Sequence, residues 1–173
     1  IDSKEIHFES LNKSLATINK SYVISREDHL KKFDGLPTLE KLQILTNKRN
    51  LPISEHQKIF DQKQAYTFEA FKRLKEDIEL QEIMKIILKN NIKIAVASNC
   101  IRKSVQIALI RLGIIEYIDY IISSEVVLRR KPHPECYWKC MIACDSIPSS
   151  TVIFEDSHIG RNAAKKTKAN LIP

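Results

Sequence analysis

The sequence predicts an α/β fold with a parallel sheet, preceded by an all-helical segment, and three observations carry this prediction. Apolar residues recur at helical spacing almost throughout residues 3–90, whereas short apolar runs alternate with helical patterns from Ile92 onward. Short β-branched runs are typical of buried strands, and strands that alternate with helices are joined by right-handed crossovers into a parallel sheet. With only 3 glycines among 173 residues, an all-β architecture and a glycine-rich phosphate loop are both disfavoured.

The two segments divide into elements with recognisable starts and stops, and the boundary between them is predicted near residues 76–78. Ser, Thr and Asp side chains at a helix start accept bonds from unpaired N–H groups, and Gly or Pro ends the pattern. Helices are predicted over Lys4–Asn19 behind Ser3, from Ser25 to a break at 34–37, over Leu39–Asn47 behind Thr38, from Pro52 toward Leu74 and from Asp77 to Asn90. Strands are predicted over Ile92–Ala97, Ile118–Ile122, Thr151–Phe154 and Ala169–Ile172, with helices Ile101–Leu112, Glu135–Cys144 and Ile159–Thr167 between them.

The composition excludes several classes of function. Lys and Arg number 28 against 21 Asp and Glu, a net charge of +7, but the basic residues are scattered and aromatic residues make up only 7%. This pattern is typical of solvated helix faces, so no nucleic-acid partner is expected. No run approaches the roughly eighteen apolar residues of a membrane span, and no apolar signal-peptide core opens the chain, so no membrane partner is expected.

The four cysteines favour a cytoplasmic location. Cys136, Cys140 and Cys144 recur every four residues along one stripe of a predicted helix, and Cys100 stands apart. A metal site on the stripe is conceivable, but no CxxC or CxxH pair accompanies it, and free cysteine is commonly a small buried hydrophobe. We therefore expect the cysteines to line the core, and the lack of a disulfide framework indicates a reducing compartment.

Two adjacent carboxylates, Glu155 and Asp156, follow the third predicted strand within the stretch Thr151–Gly160. They stand at the rim of the sheet, where α/β proteins keep their ligands. Neighbouring carboxylates resist ionisation unless a cation is present, and oxygen ligands suit Mg²⁺. Taken alone, the pair is equally compatible with a solvated turn.

Polar side chains also follow the first two predicted strands: Ser98 and Asn99 end the first, and Lys131 lies just after the second. Ser98 precedes Lys131 by 33 residues and Lys131 precedes Asp156 by 25, each about one βαβ unit, so the three strand ends should gather at one rim. A phosphoryl group is the ligand that fits this set of groups. Hydroxyl and backbone N–H donors bind its oxygens, an ammonium group neutralises its charge, and an acid pair holds the metal ion beside it. Singly, Ser98 is compatible with a helix cap and Lys131 with a solvated loop, but their joint order and spacing favour a site.

These motifs resemble those of the haloacid dehalogenase-like (HAD) hydrolases over nearly the whole chain. That family carries a strand ending in Ser or Thr, here IAVASN with Ser98, then a lysine in a KPxP context, here Lys131–Pro134, then a strand ending in an acid pair, here VIFEDSHIG. Two further stretches are similar to its β-phosphoglucomutase and sugar-phosphatase branch: Asp2-Ser3 with His7, and Gly35–Leu42.

The resemblance implies a Rossmann-like HAD core with a parallel sheet and an inserted α-helical cap domain. The cap would comprise residues 4–76, and the core residues 1–3 and 77–173. Ser98 and Asn99 are then implied to bind phosphoryl oxygens, Lys131 to pair with the phosphate and the nucleophile, and Glu155 and Asp156 to hold Mg²⁺.

In the cap, the resemblance implies that His7 lies at the hinge near the substrate and that Lys63 on a cap helix reaches it. A hinge histidine with satisfied hydrogen bonds and a solvated lysine are equally compatible with the sequence.

The first family motif, DxDG, is not in this sequence. In the family its first aspartate attacks phosphorus and forms a phosphoaspartyl enzyme. That aspartate is expected about six residues upstream of Ile1, on a central strand that the sequence does not contain. Further strands are expected after Pro173. Residues 1–173 alone are expected to be inactive and to expose apolar sheet edges, and we expect the whole protein to supply the missing strand.

The predicted function is Mg²⁺-dependent hydrolysis of a small phosphorylated metabolite, a sugar phosphate or similar. The sequence sets no oligomeric state, and a monomer is the expectation. A β-phosphoglucomutase-like phosphomutase is disfavoured, because its cap is expected to present an arginine where Thr38 stands here. A non-catalytic binding module with the HAD fold is the alternative from another class, and an upstream DxDG would exclude it.

Overall fold

The computed structural model describes residues 3–173, which form two compact units, one running to Arg73 and the other covering Leu74–Pro173. Helices combined with short parallel strands confirm the predicted α/β class. The assignment of cap and core to residues 4–76 and 77–173 stays a prediction. Asp2 of the predicted Asp-Ser motif lies outside the described residues.

The first unit is built from helices over its described residues. They are α1 (Lys4–Ala16), α2 (Arg26–Asp28), α3 (Thr38–Arg49) and α4 (His56–Lys72). Ser25 caps α2 as predicted, since its Oγ accepts a bond from Asp28 N at 3.1 Å. Ser3 was also expected to cap, but it makes no such bond because its backbone (φ −108°, ψ 7°) is outside the extended region of an N-cap residue. Eight buried apolar side chains form the core of this unit: Leu11, Leu15, Ile24, Phe33, Leu42, Leu45, Leu51 and Ile59.

The imidazole of a buried histidine in this unit has no hydrogen-bond partner among the described residues. His29 opens a π-helical turn, His29–Phe33, and is 2% exposed. Both of its ring nitrogens are unpaired in the described structure, and the ring packs on Phe8 with centroids 5.0 Å apart. Burial, and then the charges of Lys41 and Arg26, lower the pKa of His29 to about 4. The imidazole is therefore neutral at pH 7, and its desolvation is uncompensated.

We expect His29→Leu to raise the free energy of unfolding at pH 7 by about 1–3 kcal/mol, because it removes two unsatisfied buried nitrogens. The wild-type pKa is lowered on folding, so the unfolded chain binds more protons as the pH falls from 6.5 toward 4. His29 should contribute a fall in wild-type stability of up to about 1.4 kcal/mol per pH unit across that window, and the variant should lose this contribution while it keeps that of His7, whose pKa is also lowered. Urea unfolding at several pH values measures both effects.

The matched control is His56→Leu, which removes a histidine that is hydrogen-bonded to Thr46 Oγ1 at 2.7 Å and should destabilise. An unaltered pH slope in His29→Leu would show that the pKa of His29 is not lowered in the folded protein.

The second unit contains two separate two-stranded parallel sheets. Strand β1 (Ala95–Ala97) pairs with β2 (Tyr120–Ile122), and β3 (Val152–Phe154) pairs with β4 (Asn170–Ile172). The single sheet expected from the sequence is thus seen as two halves, because among the described residues no ladder joins β1 to β3. The central strand expected upstream of Ile1 stays a prediction. Phe154 of β3 is 75% exposed.

Four helices accompany these strands: α5 (Ile78–Lys89), α6 (Arg102–Arg111), α7 (Glu135–Ala143) and α8 (His158–Lys165). The predicted cysteine stripe lies on and just after α7, and Cys136 is buried in a core cluster, whereas Cys140 and Cys144 are half-buried. Within residues 3–173, no helix has the length and hydropathy needed to cross a bilayer.

Candidate active site

Lys131 joins the three loops that were predicted to form the site. Its Nζ donates hydrogen bonds to Glu155 Oε2 at 2.7 Å and to the carbonyl of Ala97 at 3.1 Å. Its backbone N–H donates to Asn99 Oδ1 at 3.3 Å. The Lys131 side chain is only 8% exposed. The loops that follow β1, β2 and β3 therefore meet at one buried ammonium group.

Both carboxylate oxygens of Glu155 are engaged by protein donors. Oε2 accepts bonds from Lys131 Nζ at 2.7 Å and from the Tyr137 hydroxyl at 2.5 Å. Oε1 accepts bonds from the backbone N and the Oγ of Ser157 at 2.9 and 2.7 Å. A carboxylate has about four lone-pair sites, so these four bonds fill its capacity. Glu155 is thus held as the counter-ion of Lys131, and direct binding of a metal would cost it one of these bonds.

The electrostatics of the pair favour its charged form. Burial opposes ionisation of Glu155, but the charge of Lys131 and the hydrogen bonds from Lys131, Tyr137 and Ser157 outweigh it and lower the pKa of Glu155 to about 2. Burial and the bond to Glu155 raise the pKa of Tyr137, so its phenol stays a donor. At neutral pH the cluster of Lys131, Glu155 and Tyr137 is therefore one buried ion pair with a neutral phenol beside it.

The start of α8 is shaped around Glu155. Ser157 Oγ accepts a bond from Gly160 N at 3.0 Å and so caps the helix while donating to Glu155. A Cβ on Gly160 would lie 2.0 Å from the Glu155 carboxyl carbon, which is far closer than van der Waals contact. Only glycine leaves room for the carboxylate here.

Gly160→Ala should therefore displace the Glu155 carboxylate and lower the free energy of unfolding by about 1–3 kcal/mol, despite the better helix propensity of alanine. Chemical denaturation measures the change. Asn162→Ala places the same residue on the same helix and should stay within about 0.5 kcal/mol of wild type. Equal stabilities for the two variants would show that the Glu155 carboxylate does not lie where the structure puts it.

Ser98 lies at the carboxyl end of β1, where its N–H donates to the Ile122 carbonyl at 2.9 Å. Its Oγ accepts a bond from Cys100 N at 3.1 Å, which leaves the hydroxyl proton to donate elsewhere. Ser98 does not cap the next helix, because the N–H of Arg102 in the first turn of α6 donates to Glu125 instead. The capping alternative for Ser98 is thus wrong, and Glu125 is a supporting residue that the sequence did not reveal.

Asp156 differs from its neighbour Glu155. It is exposed, and its backbone carbonyl accepts a bond from the Arg161 guanidinium. Across residues 3–173, no group of three or more His, Cys, Asp and Glu side chains is gathered to hold a metal. Of the two predicted Mg²⁺ ligands, one is committed to Lys131 and the other faces solvent.

His7 and Lys63 lie together in the first unit, with Lys63 Nζ 3.1 Å from His7 Nδ1. Lys63 is 7% exposed, so the solvated-lysine alternative is wrong. Burial, and then the charges of Lys63, Lys41 and His29, hold the pKa of His7 well below its usual value, so the imidazole is neutral and accepts from Lys63. Their contact with a substrate stays a prediction.

Sequence reasoning missed three residues of the cluster: Tyr137, Ser157 and Gly160. Ser157 and Gly160 were detectable, because a serine three residues before a helical N–H is an N-cap pattern. Tyr137 gave no signal, since an aromatic residue on an apolar helix face is usually part of the core.

A family model described as haloacid dehalogenase-like hydrolase matches residues 1–172. A phosphorylated carbohydrates phosphatase from Thermotoga maritima is 27% identical over 168 residues, which is 95% of this chain and 75% of that protein. The crystal structure of a β-phosphoglucomutase from Clostridium difficile superposes with a TM-score of 0.83 at 20% identity, covering 98% of this chain and 77% of the other. CbbY from Rhodobacter sphaeroides gives a TM-score of 0.84 at 20% identity, covering 98% and 79%. At this identity the structural likeness shows the fold alone.

Proposed function

Because the chain belongs to the haloacid dehalogenase-like hydrolase family, we propose that it serves, within its full-length protein, to hydrolyse the phosphate ester of a small phosphorylated metabolite. The family match confirms the family predicted from the motifs. The phosphatase relative bears out the predicted enzyme class, phosphoric monoester hydrolase. The observation that carries the proposal is the buried Lys131–Glu155 pair at the meeting point of three strand-end loops.

The side chains at this point suit a phosphoryl group. Two of the three N–H groups of the Lys131 ammonium are used by Ala97 and Glu155, and the third is available to a phosphoryl oxygen. The Ser98 hydroxyl proton is a second donor, because Ser98 Oγ accepts its own bond from Cys100 N. Asn99 is the third proposed contact, and its Oδ1 ties it to Lys131 N. Hydrogen-bond donors that are already fixed in place need not reorganise when negative charge develops on the phosphoryl oxygens, so they stabilise that charge.

We propose the covalent route of the family for the reaction. An aspartate carboxylate, expected upstream of Ile1, attacks phosphorus and the bond from phosphorus to the ester oxygen breaks. A second aspartate, expected two residues after the first, donates the proton with which the alcohol leaves. Water then cleaves the phosphoaspartate and releases inorganic phosphate. Lys131 neutralises negative charge in both steps.

The family also implies Mg²⁺, and the donor set fits this ion in part. Mg²⁺ keeps several waters and binds through one or two carboxylates together with substrate phosphate. Asp156, which follows Glu155 directly in the sequence, is an exposed aspartate. When bound, the ion supplies charge neutralisation for the phosphoryl group. We propose Asp156 as the direct ligand, with Glu155 in the supporting role that its hydrogen bonds indicate.

We propose a phosphorylated sugar or a similar metabolite as the substrate, supported by the name of the Thermotoga maritima relative. His7 and Lys63 are the proposed cap contacts, supported by their proximity to each other. The cytoplasmic location, the monomeric state and the absence of a nucleic-acid partner stay predictions.

The test is phosphate release by the full-length protein from a panel of phosphorylated sugars and nucleotides, with Mg²⁺ and with a chelator. Mg²⁺-dependent release of phosphate is expected from at least one sugar phosphate. Conversion of a sugar 1-phosphate to its 6-phosphate without phosphate release would favour the mutase instead. Binding without turnover would favour the non-catalytic module.

A further inference from the structure

Tyr137 contacts both members of the buried ion pair. Its hydroxyl donates to Glu155 Oε2 at 2.5 Å, the same oxygen that accepts Lys131 Nζ at 2.7 Å. Its ring lies under the Lys131 ammonium, with Nζ 4.7 Å from the ring centroid. Tyr137 is 6% exposed and stands in the first turn of α7.

These contacts constrain the amine from two directions. The shared oxygen fixes where the carboxylate can place Lys131 Nζ, and the ring face attracts the ammonium by a cation–π interaction. Because α7 packs Tyr137 and Cys136 in one core cluster with Ile153 of β3, the ring is itself anchored to the strand that precedes Glu155. Lys131 is a long, flexible side chain, and without such restraints its amine has many rotamers.

We propose that Tyr137 is a positioning residue that holds the Lys131–Glu155 pair in one geometry, so that the Lys131 amine is aimed at the phosphoryl group. The catalytic consequence rests on the proposed function, whereas the positioning itself stands on the contacts. Tyr137 acts through Lys131 and touches no reacting atom.

The first test measures the pair itself in the full-length protein. Acetylation of lysine amines by an N-hydroxysuccinimide ester, followed by mass spectrometry, reports how well Lys131 is held. Lys139, whose side chain is 42% exposed, serves as the internal reference. Tyr137→Phe keeps the ring and removes only the hydroxyl, and it should raise the labelling of Lys131 relative to Lys139 severalfold.

The matched control is Tyr22→Phe, which removes a phenol bonded to the Asn50 carbonyl at 3.3 Å in the other unit and should leave Lys131 labelling unchanged. Unchanged labelling of Lys131 in Tyr137→Phe overturns the proposal.

The second test separates positioning from core packing. Tyr137→Phe should lower kcat about tenfold, as expected for one lost hydrogen bond to a charged group, with KM within about twofold of wild type. The same substitution should have no further effect on kcat in a Glu155→Gln background, because the phenol acts through that carboxylate. A residue that only packs the core would lower the melting temperature and leave the kcat of the folded enzyme unaltered, and that result also overturns the proposal. If the wild type hydrolyses no phosphate ester, the proposed function fails, and the labelling still decides whether Tyr137 holds the pair.

Discussion

Lys131→Ala is expected to lower kcat for phosphate-ester hydrolysis by about 100-fold or more, because it removes a fixed cation from the phosphoryl group. It is also expected to lower the free energy of unfolding by about 3–5 kcal/mol, since it leaves the Glu155 carboxylate buried without its counter-ion. The Lys131 and Glu155 side chains are 8% and 9% exposed and their charged atoms lie 2.7 Å apart, so solvent cannot replace the lost partner. Hydrolysis of p-nitrophenyl phosphate and chemical denaturation of the full-length protein measure the two effects.

A double variant distinguishes the two roles of this lysine. Lys131→Met combined with Glu155→Gln removes both charges and keeps similar volumes, so most of the stability should return while the activity stays lost. Lys139→Ala breaks an ion pair 3.5 Å long between Lys139, which is 42% exposed, and Glu135, whose carboxylate keeps its bonds from the backbone N of Leu128 and of Arg129. It should change the free energy of unfolding by less than about 1 kcal/mol. Full activity in Lys131→Ala would remove this residue from the proposed chemistry.

The convergence of the loops was predictable from the sequence, because it depends on topology. Parallel strands present their carboxyl ends at one rim, so Ser98, Asn99, Lys131, Glu155 and Asp156 were expected to approach one another. The structure joins three of them, Asn99, Lys131 and Glu155, through the bonds of Lys131.

The separate roles of Glu155 and Asp156 were not predictable from their types alone. Successive side chains of an extended segment point to opposite sides, so two adjacent acids at a strand end do not share one environment. The acid that turns inward is the one that meets hydrogen-bond donors in the folded chain. Here those donors to Glu155 are Lys131, Tyr137 and Ser157.

The predicted strands were too long for a similar reason. Residues Ile92–Ala97 have the composition of a strand, but only Ala95–Ala97 are paired, to Tyr120–Ile122. Apolar β-branched composition reports burial, whereas a ladder also needs a neighbouring strand of matching length. In the same way, helical spacing places Lys63 on a face of α4 without saying which face the other helices cover, and the structure buries it.

Asp156→Asn is expected to abolish Mg²⁺-dependent hydrolysis while leaving the fold intact. The amide keeps the size of the carboxylate but removes the negative charge that the proposed Mg²⁺ site needs, so kcat should fall by about 100-fold or more. Since Asp156 is exposed, the free energy of unfolding should stay within about 0.5 kcal/mol of wild type. Phosphate release at increasing Mg²⁺ concentrations and calorimetric titration with Mg²⁺ alone measure turnover and binding separately.

Asp145→Asn is the matched control, because Asp145 is another exposed aspartate of the same unit and its left-handed backbone (φ 53°) accepts asparagine readily. It should bind Mg²⁺ and turn over substrate like the wild type. Near wild-type turnover in Asp156→Asn would refute its role as a metal ligand and would transfer that role to Glu155. The carboxylate of Glu155 would then have to release one of its four protein donors on binding the ion, and the weakened hold on Lys131 would appear as Mg²⁺-dependent labelling of that amine.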